Sequence, residues 1–76
     1  MIWFVLISYD IVHDRRRAKV ATRLENDARR VQFSVFESLM TKQQIEELQG
    51  RLRPLIDTTT DSIRIYRLTR DAVTEI

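Results

Sequence analysis

The 76-residue sequence contains no cysteine, and glycine, proline, tryptophan and histidine each occur only once. Without cysteine the chain has no disulfide and no thiolate metal site, so nothing in it points to an oxidising compartment. No internal repeat and no low-complexity stretch is present. The sequence therefore predicts one domain over residues 1–76, with a small core, because a chain this short buries only about 60–65% of its unfolded surface.

The apolar N-terminal segment does not resemble a targeting signal. It lacks a basic lead-in and a small-residue cleavage site, and it runs directly into Asp10. It is also too short to span a bilayer. We therefore expect a cytoplasmic protein with no membrane partner.

The net charge of +2 is unevenly distributed along the chain. Residues 13–30 contain seven Arg or Lys against three acidic residues, whereas residues 31–62 contain three against five. Most of these basic residues are arginine, which is suited to planar, bidentate contacts with phosphate. This distribution favours a polyanionic partner.

Residues 2–10, with the sequence IWFVLISYD, have the β-branched and aromatic content of a strand. A period of two gives the strand two faces: Trp3, Val5, Ile7 and Tyr9 on one, and Phe4, Leu6, Ser8 and Asp10 on the other. Both faces are apolar for most of their length. We therefore expect a central strand that is covered on both sides.

An arginine cluster follows, at the start of a helix predicted over residues 15–28 with Asp14 as its N-cap. Cations at a helix N-terminus are unfavourable by about 0.3–1 kcal/mol each. Arg15, Arg16 and Arg17 therefore indicate either a bound anion or a solvated first turn that tolerates the cost. Helical spacing directs Arg17 toward the buried side near the end of the first strand, or packs its stem on the core with the head in water.

A second helix is predicted from a capping box in which Thr41 is the N-cap and Gln44 the third helical residue. Gly50 weakens the interior of this helix. Pro54 removes a backbone hydrogen bond and clashes with the preceding turn. We expect the helix to kink or end near Arg53.

The remaining segments are extended or turns. Residues 29–37 form one long strand or two short ones with a tight or bulged connection. Residues 62–68 alternate as a strand, residues 69–71 form a turn, and residues 72–76 form a possible short strand.

This order of elements predicts an α+β fold, the ferredoxin-like βαββαβ sandwich with a possible fifth strand. Helices cover one face of such a sheet, yet the first and last long strands carry apolar groups on both faces. Two sheets stacked across a two-fold axis would cover the second face, which predicts a homodimer.

Three motifs together resemble the small CRISPR-associated endonuclease family, the smaller of two proteins shared by CRISPR adaptation machineries. They are SYDI at 8–11 with the arginine cluster, RVQFSVFE at 30–37 and DSIRIY at 61–66. Their order and spacing match over nearly the whole chain. The resemblance implies a ferredoxin-like protomer, a homodimer with facing sheets and divalent-metal-dependent nuclease activity. It also implies spacer acquisition, as the central dimer of a complex with the larger adaptation integrase.

The resemblance also assigns site residues. It places the metal ligand at Asp10, and positions tied to activity at Tyr9, Arg17, Arg30 and Phe36. Lys19 occupies a basic position near the site.

One carboxylate per chain is few for a hydrolase, but two-fold symmetry would bring Asp10 next to its counterpart. Mg²⁺ (or Mn²⁺) commonly uses one or two protein carboxylates, with water and substrate phosphate as the other ligands. Arg17 and Arg30 would then balance the charge on the phosphate. His13 is a candidate base by sequence distance alone, and such a histidine is more often a bystander. The other interpretation of Asp10 is a strand-end residue that caps the following turn.

The sequence is compatible with three candidate functions. The first is a metal-dependent endonuclease on RNA or DNA. The alternative is a non-catalytic scaffold that holds duplex DNA for the integrase, with an affinity that falls steeply with salt. Its nucleic-acid-binding residues would be Arg15, Arg16, Arg17, Lys19 and Arg30. The third is a dimeric regulatory module that binds no nucleic acid.

The aromatic residues do not predict a platform for stacking single-stranded bases. Tyr9, Phe33, Phe36 and Tyr66 occupy strand positions, where we expect them in the core or in an interface.

Overall fold

The computed structural model describes residues 1–68. The elements are β1 (Ile2–Asp10), α1 (Asp14–Asp27), β2 (Arg29–Gln32), β3 (Val35–Thr41), α2 (Lys42–Leu52), a 3₁₀ turn (Arg53–Leu55) and β4 (Ser62–Leu68). The turn predicted at 69–71 and the strand predicted at 72–76 lie outside the described residues.

The four strands form one antiparallel sheet in the order β2-β3-β1-β4. Strand β1 lies in the interior of the sheet, between β3 and β4, and Ile7 at its middle is paired with Phe36 on one side and Ile65 on the other. This arrangement is the α+β, ferredoxin-like βαββαβ fold that the sequence predicts.

The β-rich segment after α1 forms two short strands. Strand β2 ends at Gln32, and a two-residue turn at Phe33 and Ser34 leads into β3. The pairing of β2 with β3 is irregular between Arg30 and Gln32. Of the two alternatives from the sequence, the tight, bulged connection is therefore confirmed.

The core lies on one face of the sheet, between the strands and the two helices. Its buried residues are Val5, Ile7, Tyr9, Ile11, Val20, Leu24, Phe36, Met40, Ile45, Leu48 and Leu52. The helical members recur every three to four residues along one side of each helix, so one apolar stripe per helix packs on the sheet. The helices thereby cover the face of β1 that carries Val5, Ile7 and Tyr9.

The other face of the sheet is not covered within one chain. Leu39 is 67% exposed and Tyr66 is 46% exposed on this face, which we call the open face. Phe4 and Leu6 lie between them and are half-buried. The expected cover on both sides of β1 is thus present on one side within the chain, and the sheet-to-sheet homodimer stays a prediction.

The first helix begins and ends one residue earlier than predicted. Its N-cap is His13, whose Nδ1 accepts a hydrogen bond from the Arg16 backbone N–H at 3.4 Å. The prediction of Asp14 as N-cap is therefore wrong. Asp14 is instead the first helical residue, where its negative charge is favourable near the helix N-terminus. Ala28 adopts an extended conformation as the C-cap and leads into β2.

The second helix follows the prediction closely. Both hydrogen bonds of the capping box are present, between Thr41 Oγ1 and the Gln44 N–H at 3.2 Å and between Gln44 Oε1 and the Thr41 N–H at 2.8 Å. The α-helix ends at Leu52, and Pro54 lies in the 3₁₀ turn that follows. The chain thus leaves α-helical geometry next to Arg53, as expected from the missing proline N–H.

Within residues 1–68, neither helix combines the length and apolar composition required to cross a membrane.

Candidate functional site

Asp10 is the last residue of β1, and its side chain is exposed. The alternation of the strand places it on the open face, opposite Ser62 of β4. No ion pair among residues 1–68 involves Asp10. The carboxylate is therefore available to a ligand at the polar end of the open face.

Other polar side chains share this end of the open face. Ser8 precedes Asp10 by two residues, and its neighbour on β4 is Arg64. In an antiparallel pair, diagonal neighbours are about 7–8 Å apart, within reach of a long side chain. Arg64 is therefore a cation on the same face as Asp10. Sequence reasoning missed it, although the alternation of β4 already grouped Arg64 with Ser62 and Tyr66.

Tyr9 points away from Asp10, into the core on the helix-covered face. It is 6% exposed, and its hydroxyl donates to the Phe33 carbonyl at 3.4 Å. Its ring stacks on Phe36, with centroids 6.3 Å apart and an interplanar angle of 28°. Tyr9 and Phe36 thus pack together on the face of the sheet opposite Asp10.

Arg30 also lies on the helix-covered side of the sheet. Its guanidinium is 5.2 Å from the centroid of the Phe36 ring, and its Nη2 is 3.4 Å from Oε1 of Glu25 in α1. The structure therefore brings Arg30, Phe36 and Tyr9 together as one stack. It places this stack on the opposite face of the sheet from Asp10.

Arg17 lies beside the loop that follows Asp10. Its Nη1 donates to the Ile11 carbonyl at 2.9 Å, and its Nη2 pairs with the carboxylate of Asp14. The residue is half-buried, so its stem packs inward while the guanidinium holds the loop. The predicted direction of Arg17, toward the end of β1, is confirmed.

Arg16 is bound to Asp61, immediately before β4. Its Nε lies 2.8 Å from Asp61 Oδ2, and the Asp61 side chain is excluded from solvent. The hydrogen bond from Arg16 lowers the pKa of Asp61 to about 2, with further help from the Asp57 backbone N–H. The same hydrogen bond raises the pKa of Arg16. Arg16 is thus engaged in holding α1 to β4, and the sequence did not predict this ion pair with Asp61.

The outer surface of α1 carries basic side chains. Arg15, Lys19 and Arg23 are exposed and follow one another at four-residue intervals, so they lie along one side of the helix. Among residues 1–68, none of the three takes part in an ion pair. These three exposed side chains of α1 are therefore available to a polyanion.

The model of the CRISPR associated protein Cas2 family matches residues 1–76 of the chain. The chain belongs to this family. The resemblance found in the sequence is therefore confirmed. A curated Cas2 relative, CRISPR-associated endoribonuclease Cas2 3 of Synechocystis sp., is 45% identical over 71 residues, which cover 93% of this chain and 77% of the relative.

Solved structures of the Cas2 family have the same fold. The crystal structure of Streptococcus pyogenes Cas2 matches with a TM-score of 0.84 and 33% identity, covering 96% of this chain and 94% of that one. A chain of a partial Cas6-RT-Cas1–Cas2 complex also matches with a TM-score of 0.84 and 33% identity, covering 97% and 87%.

The possible metal ligands of this chain are few. Among residues 1–68, no group of three His, Cys, Asp or Glu side chains lies close enough together to hold a metal ion. Asp10, with Ser8 and Ser62 on the same face, offers hard oxygen donors of the kind that Mg²⁺ prefers. The chemistry of the donors therefore fits, but one chain supplies a single carboxylate.

Proposed function

We propose that this chain is a metal-dependent endonuclease that hydrolyses phosphodiester bonds of nucleic acid. The observation that carries the proposal is the position of Asp10, an exposed carboxylate without an ion-pair partner among residues 1–68, at the polar end of an uncovered sheet face. The name of the Synechocystis relative, an endoribonuclease, supports the enzyme over a scaffold without activity.

The active unit in this proposal is a homodimer joined through the open faces. In one chain, Leu39 and Tyr66 expose much of their apolar surface on that face, beside Phe4 and Leu6. Two copies related by a two-fold axis present identical patches to each other, so each would cover the apolar surface of its partner. The same packing would bring two copies of Asp10 to one seam.

The two Asp10 carboxylates would hold Mg²⁺ or Mn²⁺, with water completing the ligand set. When bound, the metal would supply Lewis-acid stabilisation of charge developing on the phosphate. Asp10 of each copy would hold the ion in position, and the hydroxyls of Ser8 and Ser62 would add polar contacts at the same end of the face.

Arginines of the chain bind the substrate backbone. Arg64 shares the open face with Asp10, and Arg17 lies at the loop that follows it. Guanidinium groups at these places stabilise the negative charge that develops on the phosphate and leaving oxygens as water attacks phosphorus and the bond to the leaving oxygen breaks. Arg15 and Lys19 extend the positive surface along α1, so that a longer strand of nucleic acid is held by its phosphates.

Arg30, Phe36 and Tyr9 act in this proposal as positioning residues. Their stack lies behind β1, and Tyr9 directly precedes Asp10 in the strand. A displacement of this stack would move the backbone that carries the carboxylate. His13 is used as the N-cap of α1 through its Nδ1, so its first role is structural.

We also propose that the dimer assembles with Cas1, the larger CRISPR adaptation integrase. The match to a chain of the partial Cas6-RT-Cas1–Cas2 complex supports this partner. In this assembly the chain would serve spacer acquisition, whether or not its own hydrolysis is used there.

A cleavage assay tests the endonuclease. Labelled single-stranded RNA and duplex DNA are incubated with the wild-type chain, with Asp10→Asn and with Glu46→Gln, which removes an exposed carboxylate on α2. We expect the wild type and Glu46→Gln to cleave in Mg²⁺ or Mn²⁺, and EDTA to abolish cleavage. Asp10→Asn should fall to the level seen with EDTA. Cleavage by Asp10→Asn at the wild-type rate would overturn the assignment.

A further inference from the structure

The side chain of Phe33 is almost entirely in solvent. It is 91% exposed, as much as the N-terminal Met1, although the alternation of the sequence predicts it in the core or an interface. The reason is local: Phe33 is the first residue of the turn between β2 and β3 and not part of either strand. The other aromatic residues of the same region, Tyr9 and Phe36, are buried.

The backbone of this turn is anchored at the end of β1 next to Asp10. Strand β3 pairs Val35 with Ser8, and one step further the Tyr9 backbone N–H donates to the Ser34 carbonyl at 3.1 Å. The Tyr9 hydroxyl donates to the Phe33 carbonyl at 3.4 Å. Phe33 therefore lies at the same end of the sheet as Asp10, on backbone that a buried side chain holds in place.

An exposed aromatic ring on an anchored turn, at the end of the sheet that carries Asp10, suits one kind of ligand. Every nucleobase has a π-face that stacks on an aromatic ring, whatever the sequence. In a duplex these faces are already occupied by neighbouring bases, whereas in a single strand they are free. The exposed guanidinium of Arg64, on the same face of the sheet as Asp10, attracts the backbone of such a strand, and the ring then receives a base.

We propose that Phe33 stacks on an unpaired nucleobase of a single-stranded nucleic acid whose phosphate lies at Asp10. This inference rests on the proposed endonuclease function for the location of the phosphate. Phe33 is then a specificity-determining residue, because it favours unpaired over paired nucleic acid at the site.

The test measures binding and not cleavage, on the Asp10→Asn variant of the full chain. Fluorescence anisotropy gives the affinity for a uridine oligomer, for an abasic ribose-phosphate oligomer of equal length and for duplex DNA. Adding Phe33→Ala should weaken binding of the uridine oligomer by about tenfold, because one base–aromatic stack is lost. Binding of the abasic oligomer and the duplex should not change. Phe33→Trp should bind the uridine oligomer at least as well as Phe33.

Val31→Ala is the matched control, since Val31 is an exposed apolar residue of the same hairpin at 49% exposure. It should leave all three affinities unchanged. A thymidine oligomer distinguishes the two sources of an unpaired base: an equal loss with Phe33→Ala assigns the site to both RNA and DNA, and a loss confined to uridine assigns it to RNA.

Three results would overturn the proposal: no binding of the uridine oligomer, an equal loss for the abasic oligomer, or a change of oligomeric state in Phe33→Ala by light scattering. The last would mean that a second copy of the chain covers Phe33. Since binding is measured in a variant designed not to cleave, the endonuclease proposal can fail in its own assay while stacking by Phe33 stands, and the reverse also holds.

Discussion

The guanidinium of Arg16 donates two hydrogen bonds to the carboxylate of Asp61, from Nε to Oδ2 at 2.8 Å and from Nη2 to Oδ1 at 3.4 Å. Asp61 also accepts from the Asp57 backbone N–H at 2.9 Å and from the Thr60 hydroxyl at 3.2 Å. These contacts join the first turn of α1 to the start of β4. The residue after Asp61 is Ser62, the cross-strand neighbour of Asp10.

The pKa of Asp61 is about 2 in the folded protein, whereas its ordinary value is 3.8. This difference makes the free energy of unfolding depend on pH in the acid range. Because the folded pKa is the lower one, the contribution of Asp61 is fully present above pH 3.8 and is lost as the pH falls toward 2. Asp61→Asn should therefore lower the melting temperature at pH 7 and flatten the loss of stability between these pH values. Thermal unfolding followed by circular dichroism across this range measures both effects.

Asp14→Asn serves as the control, because its carboxylate is 91% exposed and is not enclosed as Asp61 is. At pH 7 it should cost far less stability than Asp61→Asn. An acid-unfolding curve for Asp61→Asn that superimposes on the wild type would contradict the role given to the Arg16 contact.

The homodimer is tested at Leu39, which is 67% exposed on the open face. Leu39→Lys would place a charge among the apolar side chains of the proposed seam, where its loss of hydration costs free energy. We expect the dissociation constant of the dimer to rise by more than about tenfold, as for a central interface residue. Sedimentation equilibrium over a range of concentrations measures the change.

Val12→Lys is the matched control for Leu39→Lys, because Val12 is an apolar residue with 74% exposure outside the sheet. It should leave the oligomeric state of the wild type unchanged. A wild-type chain that sediments as a monomer at all concentrations would remove the two-fold site from the proposed mechanism.

Gly50 is a helical position at which alanine fits. It lies within α2, it does not adopt a positive φ, and a Cβ built there meets no atom within 4 Å. Gly50→Ala should stabilise the chain by about 0.5–1 kcal/mol, because alanine loses less backbone freedom on forming a helix. Urea unfolding measures the difference. Ala18→Gly, at an exposed position of α1, should produce the opposite change of similar size.

The capping box of α2 gives a further prediction. Thr41→Ala removes the acceptor for the Gln44 N–H and should cost about 0.5–2 kcal/mol of stability. Thr22→Ala, at an exposed position inside α1, should not destabilise the chain, since no cap is lost and the higher helix propensity of alanine adds up to about 0.7 kcal/mol. Equal losses in the two variants, measured by urea unfolding, would show that the cap contributes nothing.

Much of the fold was predictable because its signals are local. The apolar, β-branched run of β1 and the capping box at Thr41 each depend on a few neighbouring residues. Pro54 ends α2 because its ring removes the backbone N–H and clashes with the preceding turn. The N-cap of α1 was predicted one residue too late because a histidine nitrogen fills the role usually taken by the side chains of aspartate, asparagine, serine or threonine.

The site was less predictable because its residues meet through strand pairing. The resemblance gave Arg30 a role in balancing charge on the phosphate, and only the register of β2 on β3 shows that Arg30 lies over Phe36, on the face of the sheet opposite Asp10. The alternation of the sequence predicts Phe33 in a strand, but the structure shows that the chain turns there. The pairing of β4 with β1 reveals Arg64 as a neighbour of Ser8.

The sequence by itself determined the kinds and order of the elements, the family and the carboxylate at the end of β1, because propensity, capping and motifs act over short stretches of chain. The tertiary structure alone decided which side chains of different elements meet and which face of the sheet the helices cover. Arg16 and Asp61 are 45 residues apart in the sequence, and they meet because α1 packs beside the start of β4. A contact between such distant residues depends on the packing of the whole sheet, which no local pattern records.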